Sequence, residues 1–283
     1  MDELELIDET FDSNRTEVYE LSIQVNLNGF SFAVKDTIRN TFISLISKYF
    51  ATTVKNNDSW GSAVDEILSA YPVVSQKFKK NFFSFTPAGF SIVPEEIFDL
   101  SKAKSLFEIS QPLPEHSEIH HATIHNNGSG KVLIFCLPYT LSSSWLKVQP
   151  DTKFLTPVSS LVVNPEISRS DELLQINFSD QQLTITYHKN GNLVAANQFN
   201  GKYTNDALYF TLNFCKSLNV DLTTVRVKIS GDAINSTEIV KKLTGYFKNI
   251  ATDAYTSSIH FCYQLLRYRT KYHTLFYSSG ICE

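Results

Sequence analysis

The sequence contains few cysteines and no cysteine motif. No two of them are close together in the 283 residues, and no CxxC pair occurs. A chain of this length with so few cysteines does not form a disulfide framework. The four residues are Cys136, Cys215, Cys262 and Cys282.

Long apolar runs are also missing. No apolar segment reaches the roughly 18 residues that a membrane-spanning helix needs. Residues 1–15 are acidic and lack the apolar centre of a signal peptide, and Cys282-Glu283 at the end is not a CaaX box. We therefore expect a soluble, cytoplasmic protein without a membrane span, in which residues 1–15 are disordered or frayed.

The chain has no excess of positive charge. Its formal net charge is -4 and its pI is about 6.0, whereas proteins that work mainly by binding polyanions are usually basic. Hydrophobic residues make up 42% of the chain, with 21 Phe and 13 Tyr, so a sizeable core can be buried. The composition fits one large or two medium domains.

A strand pattern occurs twice in the sequence. Leu21–Val25 and Phe30–Val34 alternate apolar and polar residues around Asn28-Gly29, which is a strong signal for a hairpin turn. The second occurrence is clearer and has the order strand, strand, strand, helix, strand. Its segments are Leu174–Phe178, Leu183–His188, Leu193–Phe199, Thr204–Leu218 and Val225–Ile229.

Residues 37–50 fit two structures. Ile38, Phe42, Leu45 and Tyr49 follow the spacing of a helical stripe. In the second half, however, a third strand follows the hairpin before the helix begins. The similarity of the two halves therefore favours a strand that spans Thr41–Phe50.

Two βββαβα halves of this kind resemble the superfamily of actin, hexokinase and the heat-shock chaperone ATPases. More narrowly, the segments YELSIQVNLNGFSF, SIVPEEIFD and VRVKISGD, with the ending SGICE, resemble a Bacteroidetes family of unknown function in that superfamily. The resemblance implies a bacterial α/β protein with mixed sheets: a duplicated actin-like ATPase (ribonuclease H-like) fold with two lobes and a cleft between them. We place the first lobe at residues 16–166 and the second at residues 167–283.

The resemblance also implies where a nucleotide would bind. In that superfamily an Asp after the first strand holds magnesium, glycine-rich hairpin turns face the phosphates, and paired glycines contact the adenosine. The candidate positions here are Asn26, Asn28, Gly29, Asp180, Gly231 and Asp232.

All three motifs depart from the superfamily pattern. Asn26 keeps an oxygen ligand but lacks the charge that attracts a metal ion. Asp180 is followed by Gln181-Gln182 instead of glycine, and Gly231 has no second glycine beside it. We therefore expect a degenerate nucleotide site without catalytic residues, metal or cofactor, and Mg-ATP is the alternative.

Three functions are compatible with these features. The first is a non-catalytic actin-like protein that acts through contacts with an unidentified protein partner. The second is a divergent ATPase or kinase that uses Asp180 and Asp232 around a magnesium nucleotide. The third is a nucleic-acid-associated accessory factor that uses Arg267–His273, where basic and aromatic residues alternate.

One short basic segment in an acidic protein is weak support for nucleic-acid binding. The same pattern is typical of an exposed strand edge, where Lys and Arg discourage pairing with other chains. We therefore do not expect nucleic acid to be the main partner. The sequence predicts no particular oligomeric state.

Two other motifs have ordinary explanations. Gly128-Ser129-Gly130-Lys131 has histidine and valine where a P-loop needs glycine and a hydroxyl residue, so we interpret it as a hairpin turn. His116, His120, His121 and His125 form a local cluster, but a strand would place His120 and His121 on opposite faces. Solvated histidines are therefore favoured over a zinc site.

Overall fold

The computed structural model describes residues 3–126, 129–163, 167, 171–179, 182–201, 203–232, 237–251 and 259–278. Asp180, the Gly128 position of the P-loop-like turn and the SGICE ending lie outside these residues. The first half contains nine strands: β1 (Leu4–Ile7), β2 (Tyr19–Asn26), β3 (Gly29–Asp36), β4 (Thr41–Tyr49), β5 (Lys80–Phe85), β6 (Phe90–Pro94), β7 (Ser117–Asn126), β8 (Ser129–Pro138) and β9 (Thr152–Leu155). Its helices are α1 (Trp60–Ala70), α2 (Ala103–Glu108), α3 (Tyr139–Leu146) and α4 (Pro157–Val162).

The described part of the second half contains six strands and three α-helices. They are β10 (Glu172–Ser179), β11 (Gln182–Lys189), β12 (Asn192–Asn200), α5 (Thr204–Ser217), β13 (Arg226–Gly231), α6 (Thr237–Thr244), β14 (Asn249–Ala251), β15 (His260–Phe261) and α7 (His273–Phe276). Short 3-10 helices at Ser13–Val18, Asn57–Ser59, Pro72–Ser75, Glu95–Ile97, Leu100–Lys102 and Tyr263–Tyr268 complete the described elements.

The two large sheets have the same topology. Their strand orders are β1-β4-β3-β2-β5-β9 and β12-β11-β10-β13-β14, so β2–β5 and β9 correspond to β10–β14. In the first half β2 pairs antiparallel with β3 and parallel with β5. In the second half β10 pairs in the same way with β11 and β13. The predicted duplication of mixed α/β halves is therefore confirmed.

The ambiguous residues 37–50 contain the strand β4, as the parallel between the halves predicts. The strand imitates a helical stripe because both of its faces are buried. Ile43 and Ile46 pack in the core of the first half, while Phe42 and Leu45 pack on the opposite side of the sheet. A change of register between β3 and β4, between Val34 and Lys35, further disturbs the alternation.

The N-terminal segment differs from the expectation of a frayed end. From Leu4 to Ile7 it forms β1, which pairs antiparallel with β4 and extends the first sheet. Leu4 and Leu6 pack against the cluster that contains Phe42 and Leu45. These two apolar side chains hold the segment in place, whereas Glu5 and Ile7 are exposed.

The C-terminal segment returns to the first sheet. β15 pairs with β4, and Leu275 and Phe276 of α7 pack against Ala33 and Phe42. The helix α7 also contacts β2, β13 and α4, so it touches both halves. The proposed lobe boundary between residues 166 and 167 stays a prediction.

Each large sheet has one apolar face and one face with many polar residues. The apolar face of the first sheet lies under α1 and α3, and that of the second lies under α5 and α6. On the opposite faces, polar side chains such as Ser22, Gln24, Gln175 and Asn177 point towards the junction of the halves. The fold therefore brings two polar sheet faces together.

A three-stranded sheet, with the order β6-β8-β7, is inserted between β5 and α3. Ser129–Lys131 of the P-loop-like motif belong to β8, which pairs antiparallel with β7, as in a hairpin. Among the described residues no helix is long and apolar enough to cross a bilayer.

Candidate functional site

The equivalent strand ends of the two halves meet at a small cavity. Asn26 ends β2, Ser179 ends β10, and Gly231 ends β13. The cavity has a volume of about 30 Å³, which is space for roughly two water molecules. Its walls are Gln24, Asn26, Ser31, Asn177, Phe178, Ser179, Gly231, Asp232, Lys271, Tyr272 and Thr274.

The first hairpin uses its polar and small residues to close its own turn. The Asn26 Oδ1 atom accepts hydrogen bonds from the backbone N–H groups of Asn28, at 2.9 Å, and Gly29, at 3.0 Å. A Cβ atom on Gly29 would lie 2.2 Å from the Lys48 carbonyl oxygen. Glycine is therefore required by the approach of β4, and the Asn26 side chain stabilises the turn locally.

Gly231 and Asp232 are also engaged by neighbouring residues. Gly231 has a φ of +85°, and a Cβ atom there would lie 1.9 Å from the Phe178 carbonyl oxygen. Its N–H donates to the Thr270 carbonyl at 3.1 Å. The Asp232 carboxylate lies 3.7 Å from the Nζ atom of Lys271, whose side chain is 8% exposed. Both residues therefore hold the C-terminal segment in place.

Hydrogen bonds link the C-terminal segment to the sheets around this small cavity. Thr274 donates to the Gln24 Oε1 atom at 2.9 Å, and the Ser278 hydroxyl donates to the Ser22 hydroxyl at 2.9 Å. Gln24 in turn donates to the Ser179 hydroxyl of the second half at 3.4 Å. The polar groups that could face a ligand are thus bonded to each other across the junction.

Within the second sheet, Asn177 makes the corresponding contact by donating to the Ser230 hydroxyl at 2.8 Å. The sequence analysis named neither Asn177 nor Thr274 as a site residue. The sequence pattern that could have indicated this polar face is the alternation of polar and apolar residues on β2 and β10. When a strand is buried on both faces, its polar side chains must form hydrogen bonds within the protein.

The basic and aromatic segment Arg267–His273 is not a strand edge. It comprises the end of a 3-10 helix, a turn and the start of α7, and Thr270, Tyr272 and His273 are buried. Burial, together with the nearby charge of Lys228, lowers the pKa of His273 to about 3. The end of the segment therefore belongs to the interior, while the Arg267 guanidinium lies 4.7 Å from the Tyr268 ring centre.

A much larger cleft lies beside the small cavity and shares Asn26 and Ser179 with it. Its volume is about 680 Å³, and it is bordered by the first half, the inserted sheet and the second half. Its walls are Asn26, Leu27, Asn28, Thr53, Asn57, Trp60, Phe85, Thr86, Pro87, Ala88, Pro114, Ser117, Cys136, Pro138, Ser179, Gln182 and Asn200.

The described walls of this cleft contain no Lys, Arg, His, Asp or Glu. Trp60 and Phe85 meet edge to face, with their ring centres 5.2 Å apart. Burial raises the pKa of the Cys136 thiol, so this group stays neutral. The described walls of the cleft are consequently uncharged, unlike those of the small cavity, where Lys271 faces Asp232.

Three of the four clustered histidines each lie near a different acidic residue. His116 lies 2.8 Å from Asp58, and His120 lies 2.8 Å from Glu118. His125 lies 3.6 Å from Glu95. In the part of the chain that the structure describes, no three His, Cys, Asp or Glu side chains converge as a metal site would require.

Comparison with known proteins agrees with this fold. The sequence pattern of a family described as "Protein of unknown function (DUF3822)" matches residues 8–250. No curated protein sequence matches the chain.

Solved structures that are similar to this chain include two with TM-scores above 0.6. One is a Bacteroides thetaiotaomicron VPI-5482 protein described as having an actin-like ATPase fold and unknown function. It has 19% identity and a TM-score of 0.76, and the match covers 85% of this chain and 93% of that one. The other is the PilM-PilN type IV pilus biogenesis complex, with 9% identity, a TM-score of 0.66 and coverage of 94% and 99%. At these identities the likeness establishes the actin-like ATPase fold alone.

Proposed function

The chain belongs to the DUF3822 family of proteins of unknown function, and from this premise we propose that it is a non-catalytic actin-like protein that acts through contacts with another protein. In this proposal the nucleotide site is degenerate. A bacterial source, a cytoplasmic location and the division into lobes at residue 166 are parts of the same proposal.

The observation that carries the proposal is the closure of the small cavity. Its volume of about 30 Å³ compares with roughly 300–1,000 Å³ for small-molecule sites. Asn26 bonds its own turn, the N–H of Gly231 bonds Thr270, and Asp232 faces Lys271. A nucleotide at this place would have to break these contacts and displace the C-terminal segment.

Two further observations support a role in protein contacts. Ile97, Leu100 and Ile109, in the segment that accompanies the inserted sheet, are 62%, 66% and 81% exposed. Exposed apolar side chains favour association when they are covered by a partner. The similar fold in the PilM-PilN complex provides a precedent for an actin-like chain within a protein assembly.

Thermal unfolding in the presence of Mg-ATP tests this proposal. A ligand that binds only the folded chain must raise the apparent stability in proportion to the logarithm of its concentration. We expect the same melting temperature with and without millimolar Mg-ATP. A concentration-dependent rise that requires magnesium would overturn the proposal in favour of a divergent ATPase or kinase.

The ATPase alternative has one observation in its favour. Asn26 and the pair Gly231-Asp232, which were selected from two separate motifs, line the same cavity. The Mg-ATP titration decides between the two functions because only the alternative requires this cavity to open. The nucleic-acid alternative has less support, since three of its seven residues are buried.

A further inference from the structure

We propose that the cleft of about 680 Å³ binds an extended segment of a partner protein that carries no ionised side chain. This inference rests on the proposed function in protein contacts and names the chemistry of the contact. It is carried by four properties of the cleft: its charge, its apolar surface, its amide groups and one buried hydroxyl.

The lack of charge on the described walls of the cleft selects against ionised ligands. None of the described residues on its walls is acidic or basic, so a phosphate or a charged side chain would lose its hydration without gaining a partner of opposite charge. An uncharged segment does not incur this cost. The same argument separates the cleft from the phosphate sites of nucleotide-binding proteins, which depend on cations or clustered N–H groups.

The apolar part of the cleft suits the side chains of a peptide. Trp60 and Phe85 form an edge-to-face pair at its wall. Pro87, Pro114 and Pro138 add surface that has no N–H group to satisfy. Aliphatic or proline side chains of the segment would gain contact area here without losing hydrogen bonds to water.

The polar part of the cleft consists mainly of carboxamides. Among the described residues, Asn57 uses its Nδ2 group for Glu115 and Ser117, and Gln182 uses its Nε2 group for Asn200. Their Oδ1 and Oε1 atoms accept no hydrogen bond within this part of the chain. A carboxamide offers the same acceptor and donors as a peptide group, so these side chains match the repeated N–H and C=O groups of an extended backbone.

The Thr86 hydroxyl gives an independent indication of a ligand. It lines the cleft and is shielded from solvent, yet it has no hydrogen-bond partner within the described residues. A buried hydroxyl without a partner costs about 1–3 kcal/mol, so such groups are normally satisfied. Rotation of the Thr86 side chain towards the cleft would bring this hydroxyl to a backbone group of the bound segment, which would supply the missing hydrogen bond.

The cleft also lies at the end of a sheet edge. Asn200 is the last residue of β12, and β12 is an edge strand of the second sheet in the described structure. Edge strands accept extended segments because one side of their backbone is not paired. An extended segment can therefore run from the cleft along this edge, which favours a peptide over a compact small molecule.

Selection from a displayed library of random decapeptides tests the inference on the full chain. We expect the enriched peptides to contain few Lys, Arg, Asp and Glu residues relative to the starting library. The test variant is Ala88→Arg, which places a charge in the cleft at an exposed position, and the matched control is Ala70→Arg at the exposed end of α1. A second variant, Gln182→Glu, adds a charge without changing the size of the side chain.

Ala88→Arg and Gln182→Glu should each weaken binding of the enriched peptides about tenfold, which corresponds to about 1.4 kcal/mol. Ala70→Arg should leave it unchanged. The inference is overturned if no peptide is enriched, if the enriched peptides are charged, or if they bind the Ala88→Arg variant as tightly as the parent chain. These failures leave the proposed function standing, because that function fails only if the chain binds Mg-ATP.

Discussion

Two cavities lie side by side at the junction of the two halves, and they share Asn26 and Ser179. The one at the strand ends, where the superfamily resemblance places a nucleotide, has a volume of about 30 Å³ and contains an ion pair. Its neighbour has a volume of about 680 Å³ and has uncharged walls in the described structure. The two spaces therefore differ in size and in the chemistry of their described walls.

Hydrogen bonds and an ion pair close the small cavity. The larger cleft is open, and its described walls carry no charge. Asn26 bonds its own turn, while Gly231 and Gln24 bond the C-terminal segment, so each substitution there should change the stability of the folded chain. Substitutions at exposed positions of the cleft should instead change binding and leave stability nearly constant. Four predictions test this contrast, from the largest expected effect to the smallest.

Gly231→Ala should cause the largest loss of stability. The new Cβ atom would lie 1.9 Å from the Phe178 carbonyl oxygen at a φ of +85°. We expect the free energy of unfolding in urea to fall by about 3 kcal/mol or more. Gly61→Ala is the matched control, because its Cβ atom would meet only the Ser144 hydroxyl at 3.5 Å. Equal stability of the two variants would show that strand β13 does not close the cavity as described.

Low pH should lower the free energy of unfolding through the buried His188 on β11. The side chain is 1% exposed, neither ring nitrogen has a hydrogen-bond partner in the described structure, and burial lowers the pKa of His188 to about 3. Between pH 6.5 and 3 the unfolded chain therefore binds a proton that the folded chain does not. The free energy of unfolding should fall by about 1.4 kcal/mol per pH unit below pH 6.5 for this residue.

His188→Gln removes this titration and provides the control for the pH series. Its free energy of unfolding should depend less steeply on pH between 6.5 and 4 than that of the parent chain. His273, whose pKa is also lowered to about 3, should maintain part of the slope in both proteins. Identical slopes for parent and variant would contradict the burial of His188.

The link between α7 and β2 should appear as a coupling energy. Thr274→Val and Gln24→Leu each remove one side of a 2.9 Å hydrogen bond. In a double-mutant cycle we expect a coupling of about 1 kcal/mol. Thr274→Val combined with Thr223→Val, which affects an exposed bond to Asp221, should be additive. Additivity in both cycles would mean that the C-terminal segment does not close the cavity through this bond.

Ala88→Arg should have the smallest effect on stability, about 0.5 kcal/mol or less, because the residue is exposed on the cleft. Urea unfolding beside the Ala70→Arg control checks this value. A large loss would indicate that the cleft is packed shut like its neighbour. A small loss confirms that the cleft tolerates a side chain and so separates binding effects from folding effects.

Much of the fold follows from the sequence because local patterns determine it. The Asn28-Gly29 hairpin and the strands before and after Asn190-Gly191 lie where alternation predicts them. The strand β4 was harder because residues on both of its faces are buried. The N-terminal strand was not predicted because the two leucines of this acidic segment pack against Phe42 and Leu45, which are distant in the sequence.

The site was less predictable than the fold. The sequence identified Asn26, Gly231 and Asp232, which line one cavity, but it contained no information on what would fill the space between them. That space is closed by Lys271, Tyr272 and Thr274, which are some 250 residues from Asn26 and which no sequence pattern connects to the first hairpin. Such long-range closure depends on how the C-terminal segment returns to the first sheet.

Equilibrium binding of Mg-ATP to the full chain tests the central claim most directly. The account predicts that equilibrium dialysis detects no bound nucleotide at millimolar concentrations, with or without magnesium. Saturable, magnesium-dependent binding that is abolished by Asp232→Asn would contradict it, because the small cavity would then have to open and accept the phosphates.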